Sequence, residues 1–225
     1  SYRTSANRVN TVRLGYNWGP NNPGATVTGN YFVGQLLLEH WSTLTFQHNA
    51  IIDPYGAAVT LEQNSGQSLP SASWDQNTYV KTTSSYPVSP FQLALNGNTN
   101  AYALSAWQSL TGFDKSSTVS SAMPSGTKVV VEPNAYEAGR ANIIIYNWGR
   151  QGAVSVDLSG VLQSGDQYEV LNAQNFYGAP VVTGTYGGGA ISVPITSVTP
   201  PRPVNGKSPW TTGTEFNAYV VVKTN

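Results

Sequence analysis

The stretch ANIIIYNWGRQGAVSVDLSG, residues 141–160, contains two short runs of β-branched residues separated by the turn sequence Gly-Arg-Gln-Gly. Branched side chains favour strands, and glycine-containing turns end them. Similar runs recur on both sides, at KVVVEP (128–133), DQYEVLNA (166–173), PVVTGTY (180–186), AISVPI (190–195) and FNAYVVVK (216–223). Seven strands spaced by roughly 8–12 residues, with no helical period between them, predict an antiparallel β-sandwich over residues 119–225.

The first half repeats a different unit, in which a strand-like segment is followed by Asn and then by an apolar or aromatic pair. The unit occurs in ATVTGNYFVG, LTFQHNAII, AVTLEQNSG and SWDQNTYV, which contain Asn30, Asn49, Asn64 and Asn77. Their separations of 19, 15 and 13 residues suit solenoid coils whose loops vary in length. An Asn at the corner of each coil can take the left-handed conformation and hydrogen-bond a neighbouring backbone, so a structural role explains its recurrence.

Composition restricts the class of partner. The chain has 225 residues, of which 11 are basic and 11 acidic, and it has no cysteine. Zero net charge without a Lys/Arg cluster argues against nucleic acid, and no apolar run is long enough to predict a membrane span. The first residues, SYRTSANR, have no apolar signal core, so we expect any signal peptide to have been removed or left out. A surface rich in Asn, Thr, Ser and Tyr suits neutral sugars, and we expect an extracellular or cell-surface location.

Four passages carry a resemblance to a known family: WDQNTYV (74–80), AWQSLTGFDKSS (106–117), VEPNAYEAGRANIIIYNW (131–148) and VDLSGVLQSGDQYEVLNAQNFYGAPVVTGTY (156–186). They resemble the C-terminal half of secreted bacterial right-handed parallel β-helix repeat proteins. The resemblance implies an all-β chain, with terminal β-helix coils over residues 1–118 and a small β-sandwich over 119–225, in a protein associated with polysaccharide. It implies no defined catalytic set. The chain is also similar in general design to β-helical carbohydrate-binding modules that recognise xylan, a fold-level analogy.

An uncharged sugar is recognised by aromatic planes that stack on its ring and by short polar side chains that bond its hydroxyls. Aromatic and polar residues adjoin in GYNWGPNNPG (15–24), in a predicted turn at 39–41, and in a third coil at 74–79. Equivalent residues of successive coils lie about 4.8 Å apart, so these side chains would line one groove. We predict that a non-catalytic module binds a plant-type β-glycan such as xylan through Tyr16, Asn17, Trp18, Trp41, Trp74, Asp75, Asn77 and Tyr79.

Two alternatives remain open. The first is a glycoside hydrolase, which needs two carboxylates about 5 to 9.5 Å apart; the candidates are Glu39, Asp53, Glu62 and Asp75. A lyase would need a Lys or Arg base, and the available residues are scattered without acidic clusters: Arg3, Arg8, Arg13 and Lys81. The second alternative is a structural cap of a larger surface protein.

The remaining candidates predict little chemistry. His40 and His48 have no third ligand at a conventional spacing, so we predict no metal site. The sequence indicates neither a cofactor nor calcium, and we expect a monomer, free or fused to a catalytic domain. Trp107 and Trp148 lie in apolar runs and are predicted core residues. Trp210, in KSPWTTG, suits either a plug at one end of the sandwich or a binding role.

Overall fold

The computed structural model of the chain describes residues 12–15, 20–82 and 89–225. Within these ranges the protein is all-β, with parallel and antiparallel sheets and one α-helix, α1 (Leu104–Thr111). The chain divides into two compact units, Ser1–Met123 and Pro124–Asn225, which we call unit 1 and unit 2. In the described part, no helix is long and apolar enough to cross a membrane.

The strands of unit 1 follow one another with a period of three. In chain order they are β1 (Val12–Leu14), β2 (Ala25–Thr28), β3 (Tyr31–Val33), β4 (Leu36–Glu39), β5 (Thr43–Gln47), β6 (Ala50–Ile52), β7 (Val59–Glu62), β8 (Ser71–Asp75), β9 (Thr78–Val80), β10 (Phe91–Leu95), β11 (Asn98–Tyr102) and β12 (Thr118–Ser120). Every parallel pair joins a strand to the one three places further along, giving the orders β1-β4-β7-β10, β2-β5-β8 and β3-β6-β9-β12. Strand β11 turns back and pairs antiparallel with β10. The chain therefore visits three sheets in turn and returns to the first.

Alternating burial along β5 and β8 shows where the core of unit 1 lies. On β5, Leu44 and Phe46 are buried whereas Thr43 is exposed, and on β8 Trp74 is buried between Ser73 and Asp75. Because side chains on a strand alternate between two faces, each sheet sends one face into a common interior. The large side chains fully buried there are Trp107, Tyr79, Phe46, Phe91, Leu36, Leu38, Ile51 and Leu61.

An asparagine ladder joins successive repeats of unit 1. The Asn49 side-chain oxygen accepts from the backbone N–H of Asn30 at 3.0 Å, and the Asn77 side-chain oxygen accepts from the backbone N–H of Asn49 at 2.9 Å. The amides of Asn49 and Asn77 donate to the carbonyls of Val27 and Phe46. The predicted backbone-bonding role of these asparagines is confirmed.

Two details of the asparagine prediction are wrong. The left-handed backbone belongs to the preceding residue, with φ of 68° at Gly29, 56° at His48 and 59° at Gln76. Asn64 follows β7, in a different sheet from the strands that precede the ladder, and its carbonyl closes a turn with the N–H of Gln67. The ladder spacings are thus 19 and 28 residues, one complete repeat each.

Unit 2 contains all seven strands predicted for it. They are β13 (Lys128–Pro133), β14 (Arg140–Tyr146), β15 (Ala153–Asp157), β16 (Gln167–Asn172), β17 (Val182–Thr185), β18 (Ala190–Pro194) and β19 (Phe216–Lys223). They form two antiparallel sheets, of orders β13-β14-β19-β16-β17 and β15-β18. One apolar cluster takes alternate residues from both sheets, including Ile143, Ile145, Val156, Val170 and Val193.

Candidate functional site

Three of the predicted glycan contacts lie in the core of unit 1. Trp74 is 3% exposed, and Asn77 and Tyr79 are also buried. The Trp74 ring stacks on Phe113 with centroids 5.3 Å apart, and its indole N–H donates to the Tyr79 hydroxyl at 3.0 Å. The prediction that these three side chains face solvent is wrong, because each occupies the inward or corner position of its repeat.

Of the other predicted aromatic residues, the structure describes Trp41, which is held by hydrogen bonds. Trp41 is half-buried, and its indole N–H donates to the Leu14 carbonyl at 3.1 Å. The side chain of Gln63 brackets the Trp41 backbone, accepting from its N–H and donating to its carbonyl. Trp41 is therefore held as lateral cover of the core. Tyr16, Asn17 and Trp18 lie outside the described residues.

The buried aromatics surround a carboxylate that the sequence analysis did not select. Asp114 is 0% exposed and accepts hydrogen bonds from four side chains: Ser117 hydroxyl at 2.6 Å, Tyr79 hydroxyl at 2.9 Å, Trp107 indole at 3.0 Å and Asn77 amide at 3.2 Å. The phrase AWQSLTGFDKSS thus has a structural explanation. Its Trp, Asp and Ser build this network at the end of the asparagine ladder.

Burial sets the protonation of the network. Desolvation raises the pKa of Asp114 above 3.8, against the opposing hydrogen bonds from its four donors. Burial and the neighbouring Asp114 charge raise the pKa of the Tyr79 hydroxyl well above 10.0, which keeps that hydroxyl a donor. The network is saturated with internal partners, and we assign it to stability.

The raised pKa predicts a pH dependence of stability. Between 3.8 and the raised value, the folded chain retains the Asp114 proton that the unfolded chain has lost. The contribution of Asp114 to the free energy of unfolding is therefore full below pH 3.8 and decreases as pH rises through this window. Urea unfolding of wild type and Asp114→Asn from about pH 3 to about pH 7 measures it, since the variant lacks this titration. A wild-type minus variant difference that rises with pH would contradict the assignment.

The acids proposed for hydrolysis are partly brought together. Glu39 and Glu62 are in register on the neighbouring strands β4 and β7. Glu39 is buried and forms a bidentate ion pair with Arg13. The Glu62 carboxylate lies 3.8 Å from the Nε2 atom of His40. Both oxygens of Glu39 are thus occupied by the guanidinium.

The other two candidate acids are separate from that pair. Asp53 is buried in a turn, where its Oδ1 accepts from the backbone N–H groups of Tyr55 and Gly56 at 2.8 and 3.1 Å. Burial lowers the pKa of the nearby Lys81, and the charge of Asp53 opposes that shift. In the described ranges, no group of three or more His, Cys, Asp or Glu side chains is placed to hold a metal ion.

Among the predicted binding residues that the structure describes, Asp75 faces outward. It is half-buried at the end of β8, where the Ser116 N–H donates to its Oδ1 at 2.6 Å. Desolvation would raise the pKa of Asp75, but bonds from the backbones of Ser116 and Gln76 and the hydroxyls of Ser116 and Ser117 lower it below 3.8. Asp75 is thus an ionised group at the edge of the β2-β5-β8 sheet.

The outward face of that sheet carries a regular array of hydroxyl groups. Thr26, Thr45 and Ser73 are in register across the three strands, and Thr43 and Ser71 form a second row. Within a row, residues on neighbouring strands are about 4.8 Å apart, and the two rows are about 6.6 Å apart along the strands. The array is ordered by bonds such as Gln47 Nε2 to Ser73 Oγ at 2.9 Å.

These hydroxyls line an open groove of about 410 Å³. It is lined by the hydroxyl residues Thr26, Thr43, Thr45, Ser71 and Ser73 together with Gly24, Ala25 and Leu44. Gly24 lies close to Thr43, since a Cβ at position 24 would be 2.4 Å from the Thr43 hydroxyl oxygen. None of the residues that line the groove is charged.

The sequence contains a pattern that predicts this surface, although a search for exposed aromatic residues does not find it. The segments TVT (26–28), TLT (43–45) and SAS (71–73) place hydroxyl residues at alternate positions of three strands in one sheet. Period-two hydroxyls on paired parallel strands necessarily share a face.

Comparisons of the chain with protein-family models, with curated proteins and with solved structures found no match.

Proposed function

We propose that the chain is a non-catalytic, extracellular carbohydrate-binding module, built from a short right-handed parallel β-helix followed by a β-sandwich. The observation that supports binding is the uncharged, hydroxyl-lined groove on the β2-β5-β8 sheet. The period-three parallel pairing supports the β-helix, and the two antiparallel sheets around one core support the sandwich. The resemblance to secreted β-helix repeat proteins supports both location and ligand class.

The groove suits a neutral polysaccharide such as xylan. A sugar presents hydroxyls that both donate and accept hydrogen bonds, and the Thr and Ser hydroxyls that line the groove do the same. Rows fixed on a β-sheet are held in place before binding, so little side-chain ordering is required when a glycan binds. Binding here rests on hydrogen bonds, in contrast to the aromatic stacking predicted from sequence.

A glycoside hydrolase is the second candidate, and the in-register pair Glu39 and Glu62 is the observation that favours it. Hydrolysis requires one carboxyl group that delivers a proton and another that attacks or activates water. Glu39 is buried and both its oxygens bond the Arg13 guanidinium, which directs the carboxylate toward Arg13 and disfavours either role. We therefore favour binding without cleavage.

The groove is tested by removing its central hydroxyls. In the triple variant Thr26→Val, Thr45→Val and Ser73→Ala, we expect affinity for a retained glycan to fall by at least about tenfold, since each of the three lost hydrogen bonds contributes roughly 0.5–1.5 kcal/mol. Stability should hold, because Val favours strands. Affinity electrophoresis in soluble xylan, mixed-linkage β-glucan and galactomannan measures retention, with Thr99→Val, an exposed strand residue outside the groove, as matched control.

Reducing-end and unsaturated-product assays run beside the gels separate the alternatives. Retention without product supports the module, whereas product formation abolished by Glu62→Gln would establish the hydrolase. Wild-type chain that neither retains nor cleaves any of the glycans favours the structural cap. Triple-variant retention equal to that of Thr99→Val would exclude the groove as the site.

A further inference from the structure

Two aromatic side chains of unit 2 are almost fully exposed. Tyr177 is 97% exposed and Trp210 is 94% exposed, although large aromatic side chains are usually well covered. Trp210 is exposed to a degree that no other described Trp approaches, since Trp74 and Trp107 are buried and Trp41 and Trp148 are partly covered. Both exposed rings lie in loops beside the end of β16 and the start of β19.

The side chain of Gln174 ties the two loops together. Its Nε2 donates to the Trp210 carbonyl at 3.0 Å, and its Oε1 accepts from the Thr212 N–H at 3.0 Å. Its own N–H donates to the Asn172 side-chain oxygen at 2.9 Å, which caps the short 3-10 helix Ala173–Asn175. The Trp210 backbone is thus clamped to the helix that leads to Tyr177.

The backbone around Tyr177 is equally well defined. The Gly178 N–H donates to the Asn175 carbonyl at 2.9 Å, so Tyr177 lies in a closed turn. The preceding Phe176 is partly buried, and the Arg140 guanidinium lies 5.6 Å from its ring centroid. Phe176 therefore holds the turn against the unit while Tyr177 extends into solvent.

The surroundings indicate the ligand class. Residues 173–178 and 208–213 contain Gln, Asn, Ser, Thr, Pro and Gly around the aromatics and no charged residue, and the nearby Arg140 forms an ion pair with Glu137 at 3.0 Å. Two exposed rings flanked in sequence by amide and hydroxyl residues differ from the contiguous apolar core of a protein interface. A pyranose offers the complementary surface, because its C–H face stacks on an aromatic ring while its hydroxyls bond a neutral polar rim.

We propose that Tyr177 and Trp210 form a second carbohydrate-binding site, which stacks on sugar rings of a neutral polysaccharide. The site shares its ligand class with the proposed function but depends on none of the groove residues. Gln174 is its positioning residue, because it bonds the backbone of the Trp210 loop at the Trp210 carbonyl and the Thr212 N–H.

The test uses the full chain in affinity gels of soluble xylan, mixed-linkage β-glucan and galactomannan. Trp210→Ala and Tyr177→Ala should each weaken retention by about five- to tenfold, while Trp210→Phe should retain most of the binding. The matched control is Tyr136→Ala, which removes another exposed aromatic (99%) of the same unit. Gln174→Leu keeps both rings and should weaken retention by about threefold.

A second readout follows Trp210 itself. Iodide quenching of tryptophan fluorescence should decrease when the retained glycan is added, and this protection should be absent in Trp210→Ala. The site is overturned if Trp210→Ala loses retention but the glycan still protects its tryptophan fluorescence from iodide. It is also overturned if both alanine variants are retained as strongly as Tyr136→Ala. Near-ultraviolet circular dichroism confirms that the variants are folded.

The outcomes separate this site from the groove. If the groove triple variant loses retention and Trp210→Ala does not, the aromatic site is wrong and the groove stands. If only the aromatic variants lose retention, the groove is wrong and this site stands. If none of the three glycans retains the wild-type chain, both the groove and the aromatic site are wrong.

Discussion

Replacing Asp114 with Ala should lower the free energy of unfolding of unit 1 by about 3 kcal/mol or more. The substitution removes the acceptor of three buried donors, which belong to Ser117, Tyr79 and Trp107. Each unsatisfied buried donor costs roughly 1–3 kcal/mol. Ala also fits poorly at this position, where φ is 57°, a conformation that Asp and Asn tolerate better.

Hydrogen exchange followed by peptide provides the measurement with an internal control. Peptides from β8, β9 and α1 should lose protection in the variant, whereas peptides from β14 and β19 of unit 2 should retain theirs. Lys115→Ala, at the exposed neighbouring position, should change stability by less than about 0.5 kcal/mol. Asp114→Asn should be intermediate, since it keeps one acceptor oxygen and suits the backbone.

Unchanged protection in Asp114→Ala would mean that water replaces the carboxylate. A polar cavity with several donors can hold a water molecule, and the network would then contribute little beyond solvation. The pH dependence predicted for Asp114 is measured on wild type and Asp114→Asn, so it does not depend on this outcome. The two experiments therefore test one assignment independently.

The sequence was most informative where strand patterns were local. All seven strands of unit 2 were predictable because each is a short run rich in β-branched or aromatic residues bounded by turn sequences, and Ala153–Asp157 also alternates between buried and exposed residues. In unit 1 the asparagines predicted repeats, but the partners of each strand are far apart in the chain. Asn49 and Asn77 are 28 residues apart, and no local pattern identifies such a pairing.

The candidate site was less predictable because exposure was inferred from sequence neighbours. Trp74 stands between Ser73 and Asp75, and polar neighbours suggested a surface position. On a strand, however, adjacent residues point to opposite faces, so polar neighbours on both sides predict an inward Trp. Trp210 is in a segment without strand periodicity, and its backbone carbonyl is bonded by Gln174, 36 residues away.

Replacing Trp74 with Ala should destabilise unit 1 by about 3–5 kcal/mol, the usual cost of removing a large aromatic from a packed core. Its ring contacts Phe46, Phe113 and Trp107, with centroids 4.5, 5.3 and 5.8 Å away, so its loss leaves a cavity at the centre of the cluster. Small domains are stable by roughly 5–15 kcal/mol, and the variant would lose a large part of that margin.

Trp210→Ala is the matched comparison, since the same chemical change at a 94% exposed position should alter stability by less than about 0.5 kcal/mol. Urea unfolding of both variants measures the contrast, and the gels used above measure binding. We expect Trp74→Ala to lose stability and Trp210→Ala to lose glycan retention. A stable Trp74→Ala chain with weakened retention would return Trp74 to the binding surface, because a core residue cannot be removed without a large loss of packing.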